Sequence, residues 1–292
     1  MLNNHFLKTS LLTSLALIAF AANSVLCRLA LGNESIDASS FTVIRLLSGA
    51  FALFIIFCMN GNRTEASSKG SWSASFLLFT YAVTFSIAYL SVDTGTGALI
   101  LFGSVQITMI LLSIASGTRL HASEWLGLIM AFTGFIYLIY PSISSPSING
   151  LILMTISGIS WGLYTLMGKR SKNPLMDTTY NFVRTIPFVV VLAVFTIQHI
   201  SYSSEGVILA ILSGAITSGI GYTIWYIALR DLSSTQAAVV QLSVPVIASV
   251  GGVLFVSEPI TQRLIVSAII VLSGILMVIL GKYYFTKYKV QT

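Results

Sequence analysis

Charge is scarce in this 292-residue sequence: Asp, Glu, Lys and Arg make up 8% of it, while hydrophobic residues make up 55%. A water-soluble fold of this composition would have almost no polar side chains to cover its surface, so a soluble protein is excluded. The net charge of +6 does not indicate a nucleic-acid partner, because the basic residues stand singly between apolar runs. The composition predicts an integral membrane protein surrounded by membrane lipid.

Cysteine, histidine and acidic residues inside the apolar runs are also sparse. Their scarcity argues against a disulfide, against a metal or hydrolytic centre, and against proton coupling, respectively. The two cysteines, Cys27 and Cys58, are predicted near opposite faces of the bilayer, too far apart for a disulfide. The three histidines lie at the edges of apolar runs, so neither a metal centre nor a hydrolytic triad can be assembled, and no enzyme or cofactor is expected. All nine carboxylates fall in loops or near span ends, which argues against a proton-coupled exporter of lipophilic cations.

The apolar runs are long enough to cross a bilayer as helices, for which about 20 residues are needed. Breaks at polar residues, proline and glycine divide the chain into ten candidate spans, and the Pro/Ser-rich "PSISSPS" separates two halves. The first run is too long for the core of a signal peptide and is predicted to be an uncleaved helix. The candidate spans are residues 10–30, 38–59, 72–92, 95–116, 122–140, 149–168, 175–197, 206–228, 234–256 and 262–281.

Lysine and arginine predict the orientation of the chain. Alternate loops, beginning with the N-terminus, hold eleven of these residues, whereas the opposite loops hold only Arg28 and Arg263. Since basic residues are enriched on the cytoplasmic side, both termini are predicted to be cytoplasmic, in a multi-pass protein of the cell (inner) membrane. The eleven residues are Lys8, Arg63, Lys69, Arg119, Lys169, Arg170, Lys172, Arg230, Lys282, Lys287 and Lys289.

The two halves contain a weak internal repeat with an offset of 139 residues. Arg45 in span two matches Arg184 in span seven, and "GALILFGSV" matches "AAVVQLSV" at the same offset. Because each half has five helices, the second copy must enter the membrane from the opposite face, as in many secondary transporters. The predicted fold is an all-α membrane protein of ten transmembrane helices, arranged as two five-helix inverted-topology repeats. Its parts are residues 1–140 (first repeat), 141–148 (linker), 149–281 (second repeat) and 282–292 (cytoplasmic tail).

The segment "YIALRDLSSTQAAVVQLSVPVIASVGGVLFVSEPIT" combines an aromatic-rich span, a short basic turn, a small-residue helix with Pro245, and a closing Glu258 and Pro259. In these features the chain resembles the EamA-type branch of the drug/metabolite transporter superfamily, over essentially its whole length. The first half departs from the pattern, with Gln106 at the place of the proline and Arg119 at that of the glutamate. The resemblance implies transport, with amino acids and assorted metabolites exported and some members importing. It also implies a central cavity among spans one, three, four, six, eight and nine.

Two arginines lie inside apolar runs and need partners there, because a lipid-facing arginine costs about 3 kcal/mol on insertion scales. Arg45 is predicted ~10 Å deep in span two, and Arg184 at a comparable depth in span seven. The first interpretation is a pair of structural ion pairs, Arg45 with Asp93 and Arg184 with Asp231, in which case Arg45→Gln would reduce folded yield more than substrate affinity. The alternative is that one arginine binds an anionic group of the substrate.

Neutral polar and aromatic residues inside the spans are candidates for a substrate site. They suit a small, neutral or zwitterionic, partly aromatic solute, although helix packing and an interfacial aromatic belt are alternative roles. Pro245 is predicted to kink span nine, and the small-residue run "SGAITSGIG" is interpreted as helix packing. The predicted substrate-binding residues are Asn23, Tyr81, Gln106, Trp161, Tyr164, Tyr222, Trp225 and Gln241.

These patterns predict a secondary transporter that moves small organic metabolites across the cytoplasmic membrane by alternating access, with export of amino acids or related compounds favoured. Without a deep acid, facilitated diffusion is as good an interpretation as proton antiport. Two alternatives stay open: a carrier of anionic, phosphorylated or carboxylated metabolites, and a flippase or accessory subunit for a lipid carrier. The short loops leave little surface for a soluble partner, so a monomer is expected, with a small-molecule substrate.

Overall fold

The computed structural model describes residues 2–59, 69–115, 117, 122–139, 147–169, 171–232 and 234–289. Arg63, Arg119, Arg170 and nearly all of the predicted linker lie outside this described part. Within it the protein is helical, apart from one isolated antiparallel bridge between Ile36 and Tyr202. The α-helices are α1 Leu2–Gly32, α2 Ala38–Met59, α3 Trp72–Ala88, α4 Thr94–Ala115, α5 Ala122–Ile139, α6 Ile148–Gly168, α7 Pro174–Arg184, α8 Ile186–Thr196, α9 Ser204–Ile211, α10 Gly221–Leu229, α11 Ser234–Gln241, α12 Val244–Gly251 and α13 Gln262–Lys289.

Seven helical segments within the described residues are long and apolar enough to cross a membrane. Three further apolar helices are shorter, and the 17 residues of α3 extend over ~25 Å at 1.5 Å per residue. Large hydrophobic side chains such as Phe51, Phe195 and Phe255 are exposed on the outside of the bundle, where a soluble protein would carry charge. The chain is therefore an all-α, multi-pass membrane protein, as its composition predicts.

Two of the predicted spans break next to a proline. Span seven is interrupted at Thr185, shortly before Pro187, and span nine at residues 242 and 243, just before Pro245. Proline has no backbone N–H to donate and its ring clashes with the preceding turn, so each break has a local cause. Pro245 thus interrupts span nine where the sequence predicts a kink.

The eighth predicted span begins as α9, continues as a π-helix over Leu212–Ile220 and ends as α10. The π-helix lies directly against α2, and a Cβ atom at Gly214 would collide with the backbone carbonyl of Arg45. Only a residue without a side chain allows this approach. Isolated π-helical turns are frequent at functional sites.

Helix α1 lies in the middle of the bundle and contacts α10, α12 and the π-helix over Leu212–Ile220. At the edge, α5 and α13 form a closely packed pair, in which a Cβ atom at Gly127 would lie 2.5 Å from the carbonyl oxygen of Gly274.

Both cysteines are free, as predicted.

The terminal helices are longer than predicted. Helix α1 begins at Leu2 rather than near residue 10, and α13 continues to Lys289 rather than ending at 281. The predicted cytoplasmic tail, residues 282–292, is therefore helical in its described part. Lysines at that end of the chain do not stop the helix, because they are good helix formers.

Candidate functional site

A small cavity lies at the centre of the bundle, between residues of α1, α3, α4, α6 and α10. Its volume is about 10 Å³, on the order of a single water molecule, so the bundle is closed around it. Four of the predicted binding residues line the cavity, namely Asn23, Tyr81, Trp161 and Tyr222. The rest of the lining consists of Phe20, Ser24, Phe85, Leu101 and Phe102.

Phe20 is the centre of the aromatic lining. Its ring meets those of Trp161, Tyr222 and Trp225 edge-on at centroid distances of 5.6, 5.9 and 5.6 Å, and it stacks on Phe102 at 6.2 Å. Aromatic pairs favour these distances and angles. Sequence reasoning missed Phe20, because a phenylalanine in an apolar run has no polarity signal. The one available indication that Phe20 belongs to the site is its position about one helical turn before Asn23, on the same face of α1.

A polar network borders the same cavity. The Asn23 side-chain oxygen accepts hydrogen bonds from Ser213 at 2.7 Å and from Thr217 at 3.1 Å, and its amide nitrogen donates to the Tyr81 hydroxyl at 3.3 Å. Ser213 and Thr217 belong to the π-helix, so this irregular segment supplies partners for the buried amide. Their run of small residues was interpreted as packing alone, and that interpretation missed these polar contacts.

Arg45 is 1% exposed and joins this network. Its Nε donates to Ser218 Oγ at 3.2 Å, and its Nη2 donates to the Tyr81 and Tyr222 hydroxyls, each at 3.1 Å. The predicted ion pair with Asp93 is wrong, because the arginine points inward between α3 and the π-helix while Asp93 lies in the turn beyond α3. Depth along a span does not specify which neighbouring helix a side chain faces.

Arg184 has a different environment. It is half-buried, its guanidinium carbon lies 5.7 Å from the centroid of the Trp72 ring, and its Nη1 donates to the Lys69 carbonyl before α3. The predicted pair with Asp231 is also wrong, since Asp231 accepts a hydrogen bond from Thr9 at 3.1 Å and the arginine reaches towards the start of α3. Long arginine side chains near helix ends commonly extend in this way.

A third arginine, Arg28, links several helices near the end of α1. Arg28 Nε lies 2.7 Å from Glu258 Oε1, and its Nη1 donates to the Tyr89 carbonyl at 2.9 Å. The other carboxylate oxygen of Glu258 accepts from the Thr94 backbone N–H at 2.8 Å, at the start of α4. We call this group, together with Asp93, the Arg28 seal.

Asp93 contributes weakly to the Arg28 seal. Its carboxylate lies 3.6 Å from Arg28 Nη2 and is 57% exposed. Partial burial and the neighbouring Glu258 raise the pKa of Asp93 above its ordinary value, against the opposing effect of Arg28. Glu258 is thus the principal counter-ion of Arg28.

Three other predicted binding residues are buried behind the cavity lining rather than in it. Tyr164 packs on Trp161 with ring centroids 5.6 Å apart, and Trp225 packs on Phe20. Gln106 is 1% exposed and follows Phe102 by about one helical turn on α4. These residues can shape the lining, although they do not form it.

Gln241 and Pro245 lie away from the central cavity. The Gln241 amide nitrogen donates to the Ala237 carbonyl of its own helix, and Pro245 lines a separate apolar groove of about 270 Å³ with residues of α4 and α13. Neither residue is part of the cavity lining. Among the described residues, His, Cys, Asp and Glu form no group of three that could hold a metal ion.

Comparisons with known proteins agree with this architecture. The model of the EamA-like transporter family matches residues 148–280. An uncharacterized protein of Pseudomonas aeruginosa is 43% identical over 272 residues, which are 93% of this chain and 94% of that protein. A probable amino-acid metabolite efflux pump of Escherichia coli is 22% identical, covering 70% of this chain and 77% of that protein. A crystal structure with 15% identity superimposes with a TM-score of 0.62, over 90% of this chain and 95% of the other, which shows a shared fold.

Proposed function

Because this chain belongs to the EamA-like transporter family, we propose that it is a secondary transporter of small organic metabolites in the cytoplasmic membrane. We favour amino acids or related compounds as substrates, and export by alternating access. The name of the Escherichia coli relative, a probable amino-acid metabolite efflux pump, supports this choice.

In the proposed topology, the three shorter apolar helices also cross the membrane, which gives ten spans in two inverted five-helix repeats. The family match over residues 148–280 supports a second repeat close to the predicted 149–281. The excess of lysine and arginine on one side supports cytoplasmic termini, and it puts the Arg28 seal at the external face.

The central cavity is the observation that carries the proposal. Its lining combines aromatic rings with the Asn23 amide and two tyrosine hydroxyls, and these groups come from helices of both halves of the chain. A solute bound there would be enclosed by the bundle, as alternating access requires. The present volume holds about one water, so this conformation is closed and a substrate enters only when the helices separate.

The Arg28 seal supplies the proposed external gate. It joins α1, the turn after α3 and the start of α4 to Glu258 of the second half. Opening towards the outside would separate Arg28 from Glu258 and expose both to water, where an ion pair contributes little. The gate can therefore open at a modest cost in free energy.

A second candidate function is the transport of anionic metabolites. The observation in its favour is Arg45, whose guanidinium contacts the two tyrosines of the cavity lining. The lipid-carrier alternative has less support, because the groove beside Pro245 is almost entirely apolar and offers little to a polar headgroup.

Transport by the purified protein in proteoliposomes tests the proposal. Vesicles preloaded with unlabelled solute should take up the same radiolabelled solute by exchange, for a panel of amino acids, carboxylates, phosphorylated sugars, nucleosides and amines. A thermal-shift screen with the same panel identifies binders, since a ligand that prefers the folded state raises its stability. Exchange of at least one solute above protein-free vesicles is expected, and absence of exchange across the whole panel would contradict the proposed function.

A further inference from the structure

Arg45 is a fully buried cation whose hydrogen-bond partners are all neutral. Its side chain contacts the hydroxyls of Ser218, Tyr81 and Tyr222, and it lies 4.9 Å from the centroid of the Phe85 ring. Among the described residues, no carboxylate forms an ion pair with it, whereas Arg28 has Glu258. Buried charges in proteins are ordinarily paired, so the positive charge at this point lacks a protein counter-ion.

The hydrogen-bond inventory around Arg45 also has an excess of donors. Arg45 Nη1 and Trp161 Nε1 are both buried without an acceptor. The Tyr81 hydroxyl oxygen lies within hydrogen-bond distance of donors from Arg45 and Asn23 and of the Tyr222 hydroxyl, which is one donor more than its two lone pairs can accept. Of the two tyrosine protons only one has an acceptor, whichever way the bond between the hydroxyls runs. The site therefore has a guanidinium N–H, an indole N–H and a phenol O–H without acceptors.

These unused donors belong to residues that meet at one place. Tyr81, Trp161 and Tyr222 all line the central cavity, and Tyr222 lies 4.5 Å from Trp161 between ring centroids. Arg45 does not itself line the cavity, but it donates to both of the tyrosines that do, so its guanidinium lies directly behind the lining. Phe20 and Phe102 form the apolar side. The cavity lining thus combines two tyrosine hydroxyls that are bonded to a buried cation with the apolar rings of Phe20 and Phe102.

We propose that Arg45 binds the carboxylate of the transported substrate, which is a small organic molecule with one carboxylate and an apolar or aromatic body. This inference rests on the proposed transport function and assigns its substrate class. A carboxylate is an acceptor-only group whose two oxygens match the planar fork of a guanidinium. One carboxylate balances the single charge of Arg45, whereas a doubly charged phosphate would leave an excess negative charge in a buried site.

The carboxylate could belong to an amino acid or to a simple monocarboxylic acid, and a matched set of phenyl compounds separates the two sources. L-phenylalanine carries both charged groups, hydrocinnamate only the carboxylate, phenethylamine only the ammonium, and hydrocinnamamide neither. Each compound is added as a competitor to the exchange assay, with the best solute of the panel as the labelled substrate. Hydrocinnamate is expected to inhibit about tenfold more strongly than its amide. Inhibition by L-phenylalanine as well identifies an amino-acid carrier, and inhibition by hydrocinnamate alone a monocarboxylate carrier.

Variants at Arg45 separate a binding role from a structural one. Arg45→Gln should weaken binding of the carboxylates by about tenfold or more, and Arg45→Lys should retain part of it because the charge remains. Tyr222→Phe removes one hydroxyl without changing the charge and should weaken carboxylates only a few-fold, which provides a readout if Arg45→Gln does not fold. Arg184→Gln is the matched control and should leave binding unchanged.

Four outcomes would overturn the inference. Equal inhibition by hydrocinnamamide or phenethylamine would show that the carboxylate is not recognised. Undiminished carboxylate binding in folded Arg45→Gln protein would show that another group binds it. Exchange restricted to amines or uncharged solutes would leave the proposed transport function standing and remove the substrate assignment, whereas absence of exchange for every solute would contradict both.

Discussion

Arg45 and Arg184 stand at matching positions in the two halves of the sequence, yet their surroundings differ. Arg45 is 1% exposed and contacts the tyrosines of the central cavity, while Arg184 is half-buried and donates to a backbone carbonyl before α3. Each residue lies within an apolar run of similar length. The difference shows that a sequence match at an offset of 139 residues does not imply the same role for the two side chains.

The asymmetry has a structural cause. The π-helix over Leu212–Ile220 contains Gly214, which permits close contact with α2 and brings Ser218 to Arg45. Next to Arg184, the span itself is interrupted at Thr185, and the side chain extends along the break towards Lys69. Arg45 is therefore enclosed inside the bundle by the close contact between α2 and the π-helix. Arg184 lies next to a helix break and remains half-buried.

The largest predicted effect concerns the contact that encloses Arg45. In Gly214→Ala, the new methyl group would collide with the Arg45 carbonyl and with Ser48 Oγ, and backbone cannot move aside cheaply. We expect a loss of about 3 kcal/mol in the free energy of unfolding, measured by denaturant titration in mixed detergent. Gly162→Ala is the control, because the nearest neighbour of its methyl group would be the Val105 carbonyl oxygen at 3.4 Å, and it should change stability little. Equal stability of the two variants would contradict the close packing at Arg45.

A second variant makes Arg28 resemble Arg45 by removing its counter-ion. Glu258→Gln should lower stability by about 2 kcal/mol, because it leaves a largely buried guanidinium with only the distant, exposed Asp93 as a charge partner. It should also open the Arg28 seal more often, which can be followed at the neighbouring Cys27, a buried free thiol, in a Cys58→Ser background. Faster maleimide labelling of Cys27 is expected, with Asp231→Asn at the other end of the bundle as control. Labelling at the same rate in both variants would mean that Glu258 does not close this end.

The two arginines should respond in opposite directions to neutralisation. Arg45→Gln removes an uncompensated buried charge and should raise the unfolding free energy by about 1 kcal/mol. Neutralisation of an ion-paired arginine would instead lower the unfolding free energy, because it would leave the carboxylate partner unpaired. Arg184→Gln removes a ring contact and a surface hydrogen bond and should lower stability by about 0.5 kcal/mol. A large loss of folded Arg45→Gln protein, but not of Arg184→Gln protein, would show that Arg45 is a structural residue.

A further predicted difference concerns the caps of the two arginine-bearing helices. Asp37 immediately precedes α2 and accepts hydrogen bonds from the backbone N–H groups of Ser39 and Ser40 in its first turn. Asn173 precedes α7 in the same way and accepts from the backbone N–H of Met176. Although burial opposes the change, hydrogen bonds from Ser40, Ser201 and Ser39 lower the pKa of Asp37 below its ordinary value. Replacement of either cap by alanine should lower the melting temperature, at a cost of about 1 kcal/mol.

Only the Asp37 effect should depend on pH. Because its folded pKa is lowered, the stabilisation is complete above the ordinary value of about 4 and is lost as the pH falls through the folded pKa. The difference between wild type and Asp37→Ala should therefore shrink in acid, while that for Asn173→Ala should stay constant. Melting temperatures between about pH 7 and pH 3 provide the test, and parallel curves for the two variants would contradict it.

Sequence reasoning predicted the fold class because long apolar runs have few alternatives to membrane helices. It located the break at Pro245 from the chemistry of proline, but the π-helix over Leu212–Ile220 was not predicted. That segment consists of glycine and small residues, whose pattern indicates close packing without specifying the hydrogen-bond register. Helix ends at Leu2 and Lys289 were also missed, since hydropathy detects the apolar core of a helix and not its polar continuation.

The candidate site was predicted in part. Asn23, Tyr81, Trp161 and Tyr222 stand out as polar or amphipathic side chains in apolar runs, and the structure brings them together. Phe20 could not be distinguished from ordinary core residues by composition. The ion pairs of the arginines were wrong because sequence gives the depth of a residue and not the direction of its side chain.

The most direct test of the central claim is a calorimetric titration of hydrocinnamate into the detergent-purified protein, repeated with its neutral amide. The account predicts that the wild type and Arg184→Gln bind hydrocinnamate with similar affinity, that the amide binds about tenfold more weakly, and that Arg45→Gln does not discriminate between them. Equal affinity of wild type for the acid and the amide, or undiminished preference for the acid in Arg45→Gln, would contradict it.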